Sequence, residues 1–226
     1  DNIDEIETVI KLSNSEYYSS KLVVLGKLNK LSPVHRNALV DYILVKHLDK
    51  NGKYKTGTII FGLYGTAIYF QSVKTIPILR GKMNYVLDQT DFPVNGYNAK
   101  KIKNIIESLP RDVLIQIDEN DLYCICLHML SSMRSHKLKL FVQRDWSGTF
   151  VNVIVFLTRE KLTPEVHNEV CHYLSDKFNG VIISDSITVV AQDFVHLFVT
   201  MQVHDKAKSE PVHGEIEKDQ VPVPHQ

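Results

Sequence analysis

The stretch LKLFVQRDWSGTFVNVIVFLTREKLTPEVHNEV, residues 138–170, decides the fold. It opens with an apolar run at Leu138–Gln143, breaks at Asp145-Trp146-Ser147-Gly148 and resumes at Thr149–Leu157. Polar and glycine residues between two β-rich runs read as the turn of a hairpin. Strand side chains alternate, so Val151, Val153, Val155 and Leu157 take one face, and Asn152, Ile154 and Phe156 the other. A helix follows, with Thr163 as N-cap, Pro164 at its first position and Glu165 in its first turn. Its apolar stripe is Val166, Val170, Leu174 and Phe178, and Gly180 is expected to close it as a left-handed cap. Two more β-rich runs, Val181–Val190 and Phe194–Val203, are separated near Ala191-Gln192-Asp193.

Upstream, Asp118–Met133 reads as a helix capped by Asp118, with Glu119 and Asp121 against the positive end of its dipole. From there the order is helix, strand, strand, helix, strand, strand. Moving the first strand of a ferredoxin-like unit to its end produces that order, which fits a four-stranded antiparallel sheet with two helices on one face. Alternatively, Asp118–Met133 belongs to a helical linker. Thr75–Gln89 places Ile76, Leu79, Met83, Val86 and Leu87 on one helical face, with Pro77 in the first turn. Asn98–Leu109 does the same with Ile102, Ile105, Ile106 and Leu109, and Pro110 ends it. Arg111-Asp112, just after that proline, caps and orients the next segment. Nearer the start, Lys21–Gly26 suits a strand. Leu39–Leu48 and Lys55–Leu63 flank Asp49-Lys50-Asn51-Gly52, and Asn-Gly between β-rich runs is the strongest short hairpin signal. Blurred alternation at Ile43, Leu44 and Val45 predicts a strand covered on both faces.

The whole reads as an α/β (α+β) chain of antiparallel sheets with helices on one face. Its expected parts are a leader at 1–20, a strand-rich unit at 21–74, a helical connector at 75–133, a second sheet unit at 134–204 and a linker or tail at 205–226. Hydrophobic residues make up 44% of the 226 and charged residues 23%, the balance of a folded chain with a core. Lys plus Arg and Asp plus Glu number 26 each, and no basic block occurs, so no nucleic-acid partner is expected. No apolar run is long enough to cross a membrane, and the acidic start DNIDEIETVI lacks a signal-peptide layout. The cysteines are Cys124, Cys126 and Cys171. An odd count, with two in an apolar helical run, points to buried free thiols in a reducing, cytoplasmic setting.

Pro110-Arg111-Asp112, Arg144-Asp145 ahead of Gly148, and Thr158-Arg159-Glu160 before a second helix occur here in a particular order and spacing. They resemble the non-catalytic N-terminal region of the very large NAD-specific glutamate dehydrogenases of bacteria, which carries ACT-like regulatory domains. The resemblance extends to LVVLGKLNKLSPVHRNALVDYILVK (residues 22–46) and FGLYGTAIYF (residues 61–70). It implies ACT/ferredoxin-like units joined by helices, with a regulatory or assembly role. The parent enzyme would oxidatively deaminate L-glutamate to 2-oxoglutarate with NAD. Its other domains and subunits would be the partners, and an amino acid the effector. A stand-alone ACT-like sensing or interaction domain is the alternative.

The motifs of dehydrogenase chemistry are missing. The nearest approach to G-x-G-x-x-G is Gly62-Leu63-Tyr64-Gly65, which lacks the spacing and the following acid. No phosphate-binding glycine loop occurs, nor the lysine-bearing glycine motif of glutamate dehydrogenases. No catalytic, cofactor-binding or metal residue is therefore expected, and NAD belongs to the parent alone. His167 and Cys171 stand one helical turn apart and Cys126 lies near His128, but zinc requires three or four ligands. Candidate effector or interface residues are His35 and Arg36, in a loop that resembles one of the family's second ACT-like region, where they could meet an anion. A solvated connection is the plainer reading there. Arg144 and Asp145 suit an effector pocket, an interdomain pair or a local salt bridge. Trp146, at the hairpin tip, suits contact with a neighbouring domain or subunit.

Overall fold

Asn51-Gly52 makes the turn it announces. Gly52 adopts φ +76°, and Asp49 Oδ1 accepts from the amides of Asn51 and Lys53 at 2.8 and 2.9 Å. A side chain would strain this left-handed backbone; glycine does not. The turn joins β2 (Leu39–Leu48) to β3 (Tyr54–Gly62), and β1 (Val23–Leu31) pairs antiparallel with the other side of β2. The computed structural model describes residues 6–7, 9–10, 21–32, 39–144 and 150–203. It divides into two compact units, Asp1–Gln71 and Ser72–Gln226.

In the first unit one sheet face carries the core. Val24, Leu28, Tyr42 and Leu44 are buried there together with Val9. On the opposite face Asp41 is buried but Ile43 and Val45 are only partly so, so that face of β2 is covered less fully than its blurred alternation predicts. Branched residues suit a pleated surface whether or not it is sealed, which weakens such a pattern as a burial signal. Asp41 is nearly inaccessible and is held by Lys27 Nζ at 2.5 Å and the Tyr64 amide at 3.0 Å. A short helix, α1 (Ala67–Phe70), follows the sheet.

The second unit begins with four helices: α2 (Pro77–Asp88), α3 (Tyr97–Ser108), α4 (Arg111–Gln116) and α5 (Glu119–Ser135). Helices α2, α3 and α5 bury the apolar positions that recur at helical spacing, among them Leu79, Met83 and Val86; Ile102, Ile105 and Ile106; and Leu122, Met129 and Met133. Asp118 caps α5 as expected, accepting from the Asn120 amide at 2.9 Å. The six-residue α4 is too short to show a period of its own. Its C-terminal end is closed by an unexpected group, the buried amine of Lys82 on α2. Lys82 Nζ donates to the carbonyls of Leu114, Ile115 and Ile117 at 2.9, 2.9 and 2.6 Å. A cation on otherwise unpaired carbonyls at the negative end of a helix is favourable, and here it ties α2 to α4.

The sheet of this unit contains β4 (Lys139–Arg144), β5 (Phe150–Thr158), β6 (Gly180–Ala191) and β7 (Phe194–Val203), antiparallel throughout, in the order β4-β5-β7-β6. This is the strand order of a ferredoxin-like sheet whose first strand has been moved to the end. Helix α6 (Pro164–Phe178) connects β5 to β6 across one face. Val166, Val170 and Leu174 meet Val151, Val153, Val155 and Leu157 there, along with Val195, Leu197, Val199 and Met201 of β7. Thr163 caps α6, its hydroxyl accepting from the Val166 amide at 3.3 Å.

Two expectations are corrected. The left-handed residue closing α6 is Asn179, at φ 45°, and Gly180 already belongs to β6. Glycine is needed at 180 for a different reason, since a Cβ would stand 2.7 Å from the Gln202 carbonyl oxygen. Helix α5 does not share a face with α6. His128 of α5 stacks on Phe141, whose side chain lies opposite Leu140 and Val142, and Leu140 is in the core beneath α6. The linker reading of Asp118–Met133 therefore fits. The second face is also apolar, with Phe150, Ile154, Phe156, Phe194 and Phe198 buried, and it takes the helices before the sheet as its cover.

Leu174 is wholly buried beneath the sheet, while Asn168 faces solvent on the same helix. Leu174→Ala should lower the unfolding free energy by about 2–5 kcal/mol through the cavity it leaves. Asn168→Ala should cost under about 0.5 kcal/mol. Urea unfolding compares them directly, and equal losses would show that α6 is not packed in this register.

Candidate functional site

The described residues converge at one corner, the turn around Pro110 between α3 and α4. Three polar groups meet there, and each comes from a different part of the unit.

Glu107, in the last turn of α3, is the first. Its carboxylate accepts from the Ser72 hydroxyl, and both of its oxygens lie 3.1 Å from the Val73 amide. Arg111 completes the set, with Nη2 3.0 Å from Glu107 Oε2 and Nη1 donating to the carbonyls of Glu107 and Leu109 at 3.1 and 3.3 Å. Burial by itself would raise the Glu107 pKa. The Ser72 hydroxyl, the Val73 amide and the Arg111 charge outweigh that and hold it below the usual range. Arg111 thus ties the start of α4 back to the end of α3 by bracing Glu107, and α4 begins after Pro110 without the side-chain cap expected there.

His196 of β7 is the third group, and it is inaccessible to solvent. Its Nε2 donates to the Ser108 carbonyl at 2.8 Å, so the C-terminal end of α3 is hydrogen-bonded to the middle of the sheet. This assigns the neutral tautomer with the proton on Nε2 and leaves Nδ1 as an acceptor. Nδ1 is buried and finds no partner among the described residues. A second proton would have to be placed on a nitrogen with nothing to receive it. Burial accordingly lowers the His196 pKa, and the Ser108 carbonyl opposes the shift without cancelling it.

Of the residues singled out from sequence, Arg144 is at the end of β4, paired with Val151. His35, Arg36, Asp145 and Trp146 lie outside the described residues. Thr158-Arg159-Glu160 forms the exit from β5 into a short 3-10 turn, where the Arg159 amide donates to the Asp193 carbonyl at 2.9 Å. Among the cysteines, Cys126 is buried but Cys124 is exposed, against the expectation for that helix. Cys171 Sγ lies 3.8 Å from His167 Nε2, and the same nitrogen faces Asp185 Oδ2 at 2.9 Å. A base needs its two nitrogens for two different partners, so this is no nucleophile–base relay. Burial, and then the Asp185 charge, also push the Cys171 thiol up, away from the thiolate. Among the described residues no three His, Cys, Asp or Glu side chains are grouped to hold a metal ion.

Sequence reasoning missed Glu107, Lys82 and His196. Lys82 left a faint trace, a lysine between Leu79 and Met83 on an apolar stripe. The other two depend on contacts 34 and 88 residues away in the chain, which no local pattern records.

An antiparallel sheet of permuted ferredoxin-like order, braced from behind by a helical connector, defines a domain of the ACT kind. Comparison with known proteins agrees. Residues 76–137 match the family model described as glutamate dehydrogenase, helical motif 1, and residues 139–222 that described as glutamate dehydrogenase, ACT2 domain. Among curated proteins, the NAD-specific glutamate dehydrogenase of Halomonas elongata is 27% identical over 178 residues, 78% of this chain and 11% of that protein. That of Pseudomonas aeruginosa is 27% identical over 159 residues, 70% of this chain and 10% of that protein. The chain belongs to the NAD-specific glutamate dehydrogenase family, through its helical motif and ACT2 domain, and spans about a tenth of the length of these relatives.

The joint has a pH signature. An unfolded histidine takes up its proton near pH 6.5, whereas folded His196 resists it, so below about pH 6.5 the unfolded chain binds more protons. The stability contributed by neutral His196 is present above that pH and is lost as the pH falls towards the lowered folded value. His196→Gln retains an amide that can donate to Ser108 but does not titrate. Urea unfolding at neutral and mildly acidic pH should show a smaller acid-induced loss in the variant, and equal losses would contradict this placement of the proton.

Proposed function

We propose that this chain is a regulatory and assembly segment of a large NAD-dependent glutamate dehydrogenase. The parent reaction is the oxidative deamination of L-glutamate to 2-oxoglutarate, with NAD accepting the hydride. The observation that carries the reading is the hydrogen bond from His196 of the ACT-like sheet to the Ser108 carbonyl of the helical motif, at a helix end that Glu107 braces. Such a joint passes a displacement at the sheet to the helices, which is what a regulatory segment must do. Its polar groups are committed to fixing geometry, not to reacting.

The parent's remaining domains and subunits are the partners. An amino-acid effector would act at the sheet end that carries Arg144, and the hairpin tip with Trp146 would dock on a neighbouring domain or subunit. Allosteric control and oligomeric assembly are the roles so assigned, in the cytoplasm. Among the described residues no helix is long and apolar enough to cross a membrane.

Three outcomes test the proposal. The purified chain should form no NADH from glutamate and NAD above a buffer control. In the parent enzyme, substituting the residues equivalent to Glu107 and His196 should alter the glutamate saturation curve or the assembly state while its catalytic domain stays folded. Unchanged kinetics and assembly would remove the regulatory reading. Trp146 is the single tryptophan, so the emission of the isolated chain reports its hairpin directly. It should be red-shifted and readily quenched, and a blue-shifted, quencher-resistant emission would rule out a free docking tip.

A further inference from the structure

Helices α2 and α3, with the 89–96 connection between them, enclose a cleft of about 460 Å³, within the range of small-molecule sites. Met83 and Leu87 give it an apolar floor, and Lys74, Arg80 and Lys103 line its wall. Among the described residues none of these cations meets a carboxylate. Arg80 Nη1 reaches the Lys74 carbonyl at 3.5 Å, and Lys103 Nζ reaches the Val94 carbonyl at 3.3 Å, both long for a hydrogen bond. Asp88 is the one carboxylate in the lining, which leaves positive charge in excess there although the chain as a whole is neutral. Two largely buried cations of this unit are handled differently. Arg111 is matched to Glu107, and Lys82 is saturated by three carbonyls.

We propose that this cleft binds a small organic dianion, carrying either two carboxylates or a phosphate ester on a short carbon skeleton. A concave wall of low polarity concentrates the field of the cations, and an entering anion relieves their mutual repulsion. The Arg80 guanidinium presents a flat fork matched to carboxylate or phosphate oxygens, and the lysines add point charges on either side. Met83 and Leu87 favour an anion with methylene groups over a bare inorganic ion. The site lies in the helical motif, apart from the sheet end assigned to an amino-acid effector, and it does not depend on that assignment.

Calorimetric titration of the whole 226-residue chain with glutarate and with glycerol phosphate tests the site. Butyrate serves as the monoanionic control and pentanediol as the neutral one. At least one dianion should bind saturably and more tightly than either control, and the better dianion distinguishes a carboxylate ligand from a phosphate one. Combining Arg80→Gln with Lys103→Gln should weaken that binding by about tenfold or more. Lys101→Gln, on a lysine over the Tyr97 ring, should leave it unchanged. In the unsubstituted chain the bound dianion should also protect Lys74 and Lys103 from amine acetylation, read by mass spectrometry, which holds even if the double variant folds poorly. Absence of saturable dianion binding, binding unaffected by the double substitution, or absence of protection would each overturn the proposal.

Discussion

Strands β5 and β7 are apolar on both faces, and the rest of the second unit depends on covering both. Val151, Val153, Val155 and Leu157 point one way and Ile154 and Phe156 the other, and all are buried. The same holds for Val195, Leu197 and Val199 against Phe194 and Phe198 across the paired strand. A single helix can cover one face only. Helix α6 does so because it connects β5 to β6 over that side. The opposite face needs cover from outside the β-β-α-β-β segment, and the helices that precede it provide this. The ACT-like sheet and the helical motif are thereby made into one unit by hydrophobic necessity.

The polar contacts at the joint then decide where that cover sits. Phe156 and Phe194 stack with centroids 5.4 Å apart and would accept a helix in several positions. His196, between them and the end of α3, accepts fewer, because its Nε2 must find the Ser108 carbonyl. Glu107 fixes the same corner from the other side through Ser72, Val73 and Arg111. Buried polar groups of this kind add specificity more than stability, since each must be satisfied where it lies. A regulatory segment gains from that, because a displaced corner cannot slide to an equivalent position nearby.

Much of the architecture was legible locally. The Asn51-Gly52 turn, the Asp118 and Thr163 caps and the stripe Val166, Val170, Leu174 are each specified within a few residues, and each stands where its pattern put it. A four-stranded antiparallel sheet was the expectation from element order alone, and the second sheet has four strands, antiparallel throughout. What was not legible lay in contacts between distant segments. Nothing local says that α5 lies across the sheet from α6, or that Lys82 closes a helix more than thirty residues away. The confusion of Asn179 with Gly180 has a local cause. Both residues are suited to a helix end, and the close approach of the Gln202 carbonyl that demands glycine at 180 comes from another strand. Of the candidate site residues, only Arg144 can be placed, and the joint that emerged instead uses groups with no sequence motif.

Segment-resolved hydrogen exchange at increasing sub-denaturing urea measures most directly whether helices and sheet are one unit. The amides of β5 and β7 and those of α3 and α5 should open together, with one free energy and one dependence on urea, as for a single cooperative element. Opening of α3 and α5 at distinctly lower urea, with β5 and β7 still protected, would show that the second face of the sheet does not rely on these helices. The joint would then be a contact between separate bodies and not the element through which they are coupled.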